Sequence, residues 1–557
     1  MSPMPRPEDT SMQLAYTPAE RRQRFNVLLV IADDLGARHL PFYGYERDTM
    51  PLLQRRLEGA TLFTNCHSPV GWTLPGCASI ITGQLPGGHG LYDHNNRFQK
   101  PKLGHYLGED YERVGIANNG NVVSDTIPLE YLESLGFERR PAKWKSFGWD
   151  DGFDRYDWIH REDHEKPFVI AREFLESRKG TDSPWFLSFH SNLVHDYHMG
   201  RDYYLDVGDW IDGEIHPGLR DVRDGPEIWR NPPAGVDWEQ EKRELVAKYD
   251  SGVRGYDARL DELFRLVDLD STIVVFVSDH GEGFEPERGR VHHCGRLHGD
   301  LTHVPLAIWL PPPLRSHYEA PLREEQQCST IDVVPTILTL LGDAVAGFPG
   351  RFLFDLPPHR RLRGEDRGYL YWNEDCARES YDTCSIEVNS ETTYPLKRIS
   401  VRRNDTTREY SYNLAYDPLE HENLLEVPEV EGEPVSFVVA VNDEEELRNN
   451  FLASAVARGG RHEILLVDNS SNSRYESISA LYSEAMEKVK NDLVLFVHQD
   501  LYLYDGWEQR FFAGLRALEA VDPDWGVIGP VGALGVIPGE KKQLRGHWSD
   551  PSGYHFE

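Results

Sequence analysis

Cysteine is scarce in this chain, with six in 557 residues at positions 66, 77, 294, 328, 376 and 384. None forms a CxxC pair, so a disulfide framework is not expected and the thiols are read as free. Positive charge is short as well. The 59 Lys and Arg residues face 92 Asp and Glu, and a net charge of −33 repels nucleic acid and anionic membranes. A dedicated nucleic-acid binder is therefore excluded. Long hydrophobic runs are missing too: the longest, such as Val27 to Ala32 and Ile273 to Val277, fall far below the roughly 18 to 20 residues that span a bilayer. No membrane span is expected. The opening segment is polar and Pro-bearing, ends in Arg21-Arg22-Gln23-Arg24 and carries no apolar signal region. Residues 1–23 are read as a disordered leader, and the expected compartment is the cytoplasm.

What is present describes an ordinary globular protein. Hydrophobic residues make up 39% and aromatics 11%, enough for large cores. Phe25 to Ala32 (FNVLLVIA) is a continuous apolar run of strand length, as in a strand covered on both faces of a parallel sheet. Similar runs at Trp185 to Phe189, Thr272 to Val277 and Val304 to Leu310 are separated by helix-like stretches such as Glu241 to Val267. This alternation predicts an α/β core with a mainly parallel sheet. Gly200 to Asp237, rich in Asp, Gly, Pro and Trp, reads as a surface excursion. An acidic, Pro-bearing linker is placed at 428–434. After it the pattern restarts with Val435 to Val441, Glu463 to Val467 and Leu493 to Val497, predicting a second, smaller α/β domain over 435–557.

In open α/β sheets, ligands sit beyond the carboxyl ends of strands. Asp33-Asp34 follows the first run and Asp279-His280-Gly281 follows another. Three carboxylates and an imidazole converging there would suit a divalent cation. Either pair by itself reads equally well as a helix cap or turn.

The residues between the pairs add a family likeness. Ser68 to Gly90 reads SPVGWTLPGCASIITGQLPGGHG. Together with NVLLVIADDLG before it and VFVSDHGEGF after it, it resembles the sulfatase family of the alkaline phosphatase superfamily over residues 24–427. Leu103 to Leu107 with Tyr111, CSTIDVVPTILTLLG at Cys328 to Gly342, and YNLAYDPLEHENLL at Tyr412 to Leu425 agree. The resemblance implies an alkaline-phosphatase-like fold, a mainly parallel sheet flanked by helices. It also implies one divalent cation, Ca²⁺ or Mn²⁺ with Mg²⁺ as a further choice, held by Asp33, Asp34, Thr73, Asp279 and His280.

Thr73 stands in the place of the family's nucleophile, a Cys or Ser of C/S-x-P-x-R that is oxidised to formylglycine. Threonine cannot yield that aldehyde because its β-carbon already bears a methyl group, and Cys77 replaces the motif's arginine; no formylglycine is expected. What remains is an activated alcohol attacking an ester of phosphate or sulfate. His195 is the resemblance's first choice for protonating the leaving oxygen, with His293 or His298 as further site histidines. Asn118, Asn119 and Asn121 stand where the family has a Gly-Lys-Trp-His segment. Cys77, opening the apolar stretch Ala78 to Thr82, reads as a small packed residue.

The tail resembles the N-terminal half of a family 2-like GT-A glycosyltransferase. That likeness implies nucleotide-sugar binding through Asp468, and through Asp500 of the triplet His498-Gln499-Asp500. At this length the domain is partial. The expectation is thus a metal-dependent, sulfatase-like hydrolase or transferase of an anionic, glycan-linked ester in polysaccharide metabolism. The alternatives are an inactive carbohydrate or nucleotide-sugar binding scaffold, and a glycosyltransferase lacking its C-terminal half.

Overall fold

The computed structural model describes residues 25–92, 97–124, 148–195, 197, 238–285, 288, 290–343, 346–358, 360–367, 386–403, 406–415, 417–425, 432–469, 475, 478–503, 507–520, 532–533, 544–545, 548–549 and 555–556. The expected leader, the excursion from Gly200 to Asp237 and most of the expected linker lie outside them. The chain divides into two compact units, 1–391 with 399–408, and 392–398 with 409–557.

The main sheet of the first unit has eight strands among the described residues: β1 (Asn26–Ala32), β2 (Ala60–Phe63), β3 (Glu112–Ala117), β4 (Arg155–Trp158), β5 (Trp185–Ser191), β6 (Thr272–Ser278), β7 (Leu306–Trp309) and β8 (Arg323–Glu324). Their order across the sheet is β8-β2-β7-β6-β1-β5-β3-β4. Only β7 runs against its neighbours; β1 is parallel to both β5 and β6. This is the mixed, mainly parallel sheet that the unbroken apolar runs predict.

Both faces are covered, which is why β1 does not alternate polar with apolar. Val27, Leu29 and Ile31 face one core with helix α1 (Thr73–Thr82) and helix α4 (Val333–Leu340). Leu28, Val30 and Ala32 face the other, with α2 (Lys166–Ser177) and α3 (Trp238–Phe264). Each fully buried aliphatic side chain in these layers stabilises the fold by about 2 kcal/mol. On α3 the buried series Leu245, Tyr249, Val253, Tyr256, Leu260 and Leu263 keeps the three-and-four spacing of an amphipathic helix. Asp257, from the same helix, accepts the backbone N–H groups of Leu52 (2.9 Å) and Leu53 (2.8 Å), fastening the start of a short helix that begins at Pro51.

Helix α1 begins earlier than its apolar stretch suggests. It starts at Thr73 rather than near Ala78, because Pro75 falls in the first turn, where its missing N–H costs nothing. It ends at Gly83, whose φ of 65° is left-handed and where an added Cβ would meet the Phe348 ring at 2.9 Å.

The second unit carries a three-stranded parallel sheet in the order β10-β9-β11, formed by β9 (Ser436–Val441), β10 (Glu463–Asp468) and β11 (Val494–His498). Phe437, Val439, Phe451, Val497 and Phe512 are among the buried residues of its own small core. Among the described residues, no helix is long and apolar enough to cross a membrane.

Candidate active site

Four adjacent strands, β6, β1, β5 and β3, deliver polar side chains at one edge of the main sheet. β1 runs into Asp33 and Asp34, and β6 into Asp279 and His280. β5 contains His190 and leads to His195, while β3 is followed by Asn118 and Asn119. Parallel register sets the spacing: Ala32 lies opposite Ser278, and the Asp279 N–H donates to the Ala32 carbonyl at 3.3 Å. Asp34 takes a left-handed φ of 66°, which the short polar side chain of aspartate tolerates. In that turn its N–H donates to Asp279 Oδ1 (3.2 Å), and its carbonyl accepts the Tyr249 hydroxyl (2.6 Å).

Thr73 arrives from the other direction, as the first residue of α1. Its Oγ1 lies 3.3 Å from Asp33 Oδ1 and 3.2 Å from His280 Nε2, and the residue is 2% exposed. His280 presents its two nitrogens to different acids. Nε2 faces Asp33 Oδ1 at 3.4 Å and Asp279 Oδ2 at 3.8 Å, whereas Nδ1 faces Asp34 Oδ1 at 3.3 Å and the Gly281 carbonyl at 3.0 Å. The structure therefore gathers Asp33, Asp34, Thr73, Asp279 and His280 in one place. Their ligand atoms fall into overlapping groups, Asp33 with Asp279 and His280, and Asp34 with His280 and His293.

Burial and charge oppose one another here. Burial pushes Asp279 up to about 7, with Asp33 adding to the rise despite His280. Burial and the Glu282 charge raise Asp34 well above the usual carboxylate range. Asp33 goes the other way: burial alone would raise it, but His280, His195 and His190 together hold it low. For His280, burial favours the neutral ring and is outweighed by Asp279, Asp33 and Asp34, which hold it protonated.

The expected histidines separate by position. His293 belongs to the cluster, its ring centroid 4.7 Å from that of His280 and its Nδ1 3.8 Å from Asp34 Oδ1; burial lowers it to about 4. The half-buried His195 is the next ring outward, 5.0 Å from His293. His298 precedes a short helix at Gly299–Thr302, its carbonyl accepting the Leu301 and Thr302 N–H groups. In the second unit, Asp468 closes β10 and Asp500 follows β11, both exposed. The Gln499 side-chain oxygen accepts the N–H groups of Asn442 (2.8 Å) and Asp443 (3.0 Å), so the middle residue of that triplet braces the turn after β9.

Several residues without an assigned role at the site from sequence alone join it. The Asn119 side-chain amide donates to Asp33 Oδ2 at 2.5 Å, and His190 Nε2 lies 3.5 Å from the same oxygen. Glu282 sits between His292 and His293, which overcome its burial and hold it well below the usual carboxylate range. Cys77 is packed, as expected, but its Sγ contacts Asp279 Oδ2 at 3.4 Å. The available signal was adjacency: each lies within four residues of a strand end or one helical turn after Thr73.

The sulfatase family profile matches residues 25–343, more than half the chain. The chain belongs to the sulfatase family of ester hydrolases. Among curated proteins it is similar to the choline-sulfatase of Rhizobium meliloti, 23% identical over 356 residues, covering 57% of this chain and 67% of that protein. It is also similar to the human N-acetylgalactosamine-6-sulfatase, 25% identical over 347 residues and covering 57% and 62%. The match to bovine arylsulfatase A is 42% identical but spans 67 residues, 12% of this chain and 13% of that protein. Among solved structures, the phosphonate monoester hydrolase of Agrobacterium radiobacter superposes with a TM-score of 0.53 at 17% identity, over 72% of this chain and 91% of that one. That likeness establishes the alkaline-phosphatase-like α/β fold.

Sulfatases bind a divalent cation, and the residues present fit one. Both carboxylate oxygens of Asp34 are buried without a hydrogen-bond partner, a costly state in a dry interior. The donor set around it, carboxylates with an imidazole and an alcohol, is of the right chemistry.

Gly76 lets α1 press against this edge: a Cβ there would lie 2.9 Å from the Asp279 carbonyl oxygen and 3.2 Å from its Cβ. Ala normally improves a helix interior over Gly by about 1 kcal/mol. Gly76→Ala is expected to do the reverse, lowering Tm and weakening Mn²⁺ binding as Asp279 is displaced. Calorimetric unfolding and metal titration check this, and an unchanged or raised Tm would contradict it.

Proposed function

We propose that this chain cleaves or transfers a sulfate or phosphate ester by attack of the Thr73 hydroxyl, on a glycan-linked substrate. The observation that carries the reading is the position of Thr73 Oγ1, between Asp33 Oδ1 and His280 Nε2 at the mouth of a ten-residue helix. A helix N-terminus favours an anion, so the tetrahedral ester and the alcohol share one electropositive point in an otherwise acidic pocket. Asp33 accepts the hydroxyl proton's hydrogen bond and orients the oxygen, and Asn119 holds the other oxygen of Asp33. The rings of His280, His293 and His195 form a series from full burial to partial exposure. His195, at its outer end, is assigned the proton delivered to the leaving oxygen.

A divalent cation, Ca²⁺, Mn²⁺ or Mg²⁺, would be held by Asp33, Asp34, Asp279 and His280 with Thr73. When bound it supplies charge that favours the ionised alcohol and offsets charge on the ester oxygens. The glycan assignment draws on the human relative named for N-acetylgalactosamine 6-sulfate chemistry. Phosphate over sulfate follows from the alcohol itself, since a phospho-threonine can be released by direct attack of water or an acceptor alcohol.

For the tail we infer a nucleotide-sugar site of GT-A type. Its support is a parallel sheet in the order β10-β9-β11 with Asp468 and Asp500 at the carboxyl ends of the outer strands. Calorimetric titration of the full chain with UDP- and GDP-sugars should show binding that Asp468→Ala weakens; no heat with any of them retires the assignment.

For the first site, Thr73→Ala should lower turnover of a responsive aryl sulfate or phosphate ester at least about a thousandfold, with the fold and the metal content by elemental analysis retained. Thr73→Ser should keep most of the activity. Undiminished turnover by the Ala variant would refute the nucleophile.

A further inference from the structure

Cys77 lies one helical turn after Thr73 on α1, so the two side chains descend on the same edge of the sheet. Thr73 meets Asp33 and His280, whereas Cys77 Sγ meets Asp279 Oδ2 at 3.4 Å. From β5 comes His190, 4% exposed, and neither of its ring nitrogens has a hydrogen-bond partner among the described residues. Its Nε2 lies 3.5 Å from Asp33 Oδ2, close enough for charge but too long for a hydrogen bond, and a buried imidazole left without one is expensive. His190 and Cys77 together line a small cavity of about 20 Å³ whose other walls include Ile31, Ile81, Ile116 and Trp149. That is room for one occupant of about the size of a water molecule beside Cys77 and His190, and Asp279 is not among its walls.

The ligand atoms of Cys77, His190 and Asp279 all lie within 4.8 Å of one another. The geometry points to a second cation site, for Zn²⁺ or a metal of similar softness, formed by Cys77 Sγ, a ring nitrogen of His190 and Asp279 Oδ2. Thiolate, imidazole and carboxylate are the donors zinc prefers, while calcium and magnesium do not take sulfur. The spacing agrees. Two ligands on one tetrahedral zinc, with sulfur at about 2.3 Å and oxygen at about 2.0 Å, sit roughly 3.5 Å apart, close to the separation of Sγ from Oδ2. Binding replaces the thiol proton, which leaves to solvent, and provides the missing partner for His190. Asp279 is then shared: Oδ2 serves this site, while Oδ1 accepts the N–H groups of Asp34 and His280. The inference goes beyond the ester chemistry and does not depend on Thr73 as nucleophile.

Co²⁺ is the probe. The full chain, stripped of metal with a chelator, is titrated with Co²⁺, and a thiolate-to-cobalt charge-transfer band in the near ultraviolet is sought. The expected result is a band that saturates at one equivalent and is displaced by Zn²⁺. Cys77→Ser should lose the band and one equivalent of zinc by elemental analysis while still binding Mn²⁺. His190→Gln should weaken the Co²⁺ complex with Cys77 intact, which separates loss of a ligand from loss of the fold. A wild-type protein that takes up Co²⁺ without the band, or a band that survives in Cys77→Ser, overturns the site. A band together with failure to bind Mn²⁺ leaves this site standing and removes the first one.

Discussion

Four carboxyl groups, those of Asp33, Asp34, Asp279 and Glu282, are buried at one sheet edge, none more than 4% exposed. Transferring one unpaired carboxylate out of water costs several kcal/mol even after the protein relaxes, so four in contact cannot all stay charged without compensation. The compensation is built from imidazoles. His280 serves Asp33, Asp34 and Asp279, His190 serves Asp33, and His292 with His293 serves Glu282. Among the described residues, no lysine or arginine forms an ion pair with Asp33, Asp34 or Asp279. A divalent cation held here would complete the charge balance.

The sheet makes that concentration possible. β6, β1, β5 and β3 are consecutive across it although distant in the chain, so strand ends as far apart in sequence as Ala32 and Ser278 come to one edge of the sheet. Apolar layers on both faces hold the strands, and Gly76 lets the first turn of α1 approach the Asp279 backbone closely enough to bring Thr73 onto Asp33. Fold stability and the chemistry of the site are thus coupled at one contact between helix and strand end.

Much of this was legible in the sequence, for identifiable reasons. A strand buried on both faces must be apolar throughout, so β1 and β6 announce themselves, and the aspartates that break each run mark the carboxyl edge. The position of Thr73 was legible through the residues around it. His190 was not, because it continues an apolar run that reads as ending at Phe189; the strand extends two residues further, to Ser191. Only the tertiary contact with Asp33 distinguishes that histidine from any other in the chain. The place of Asn119 was legible through the family segment it replaces, but its bond to Asp33 was not, since an amide after a strand reveals no partner until the neighbouring strand is known. The start of α1 was displaced because Pro75-Gly76 resembles a turn, and it is tertiary packing that keeps the glycine inside the helix.

The proposed chemistry requires a covalent bond to Thr73. The direct measurement is mass analysis of the wild-type chain quenched during turnover of an ester substrate, followed by mapping of the peptide that contains Trp72 to Ile81. A phosphoryl or sulfuryl group on Thr73, absent from enzyme without substrate, is the predicted result. Rapid turnover with that peptide always unmodified, or with the group on another side chain, would contradict it.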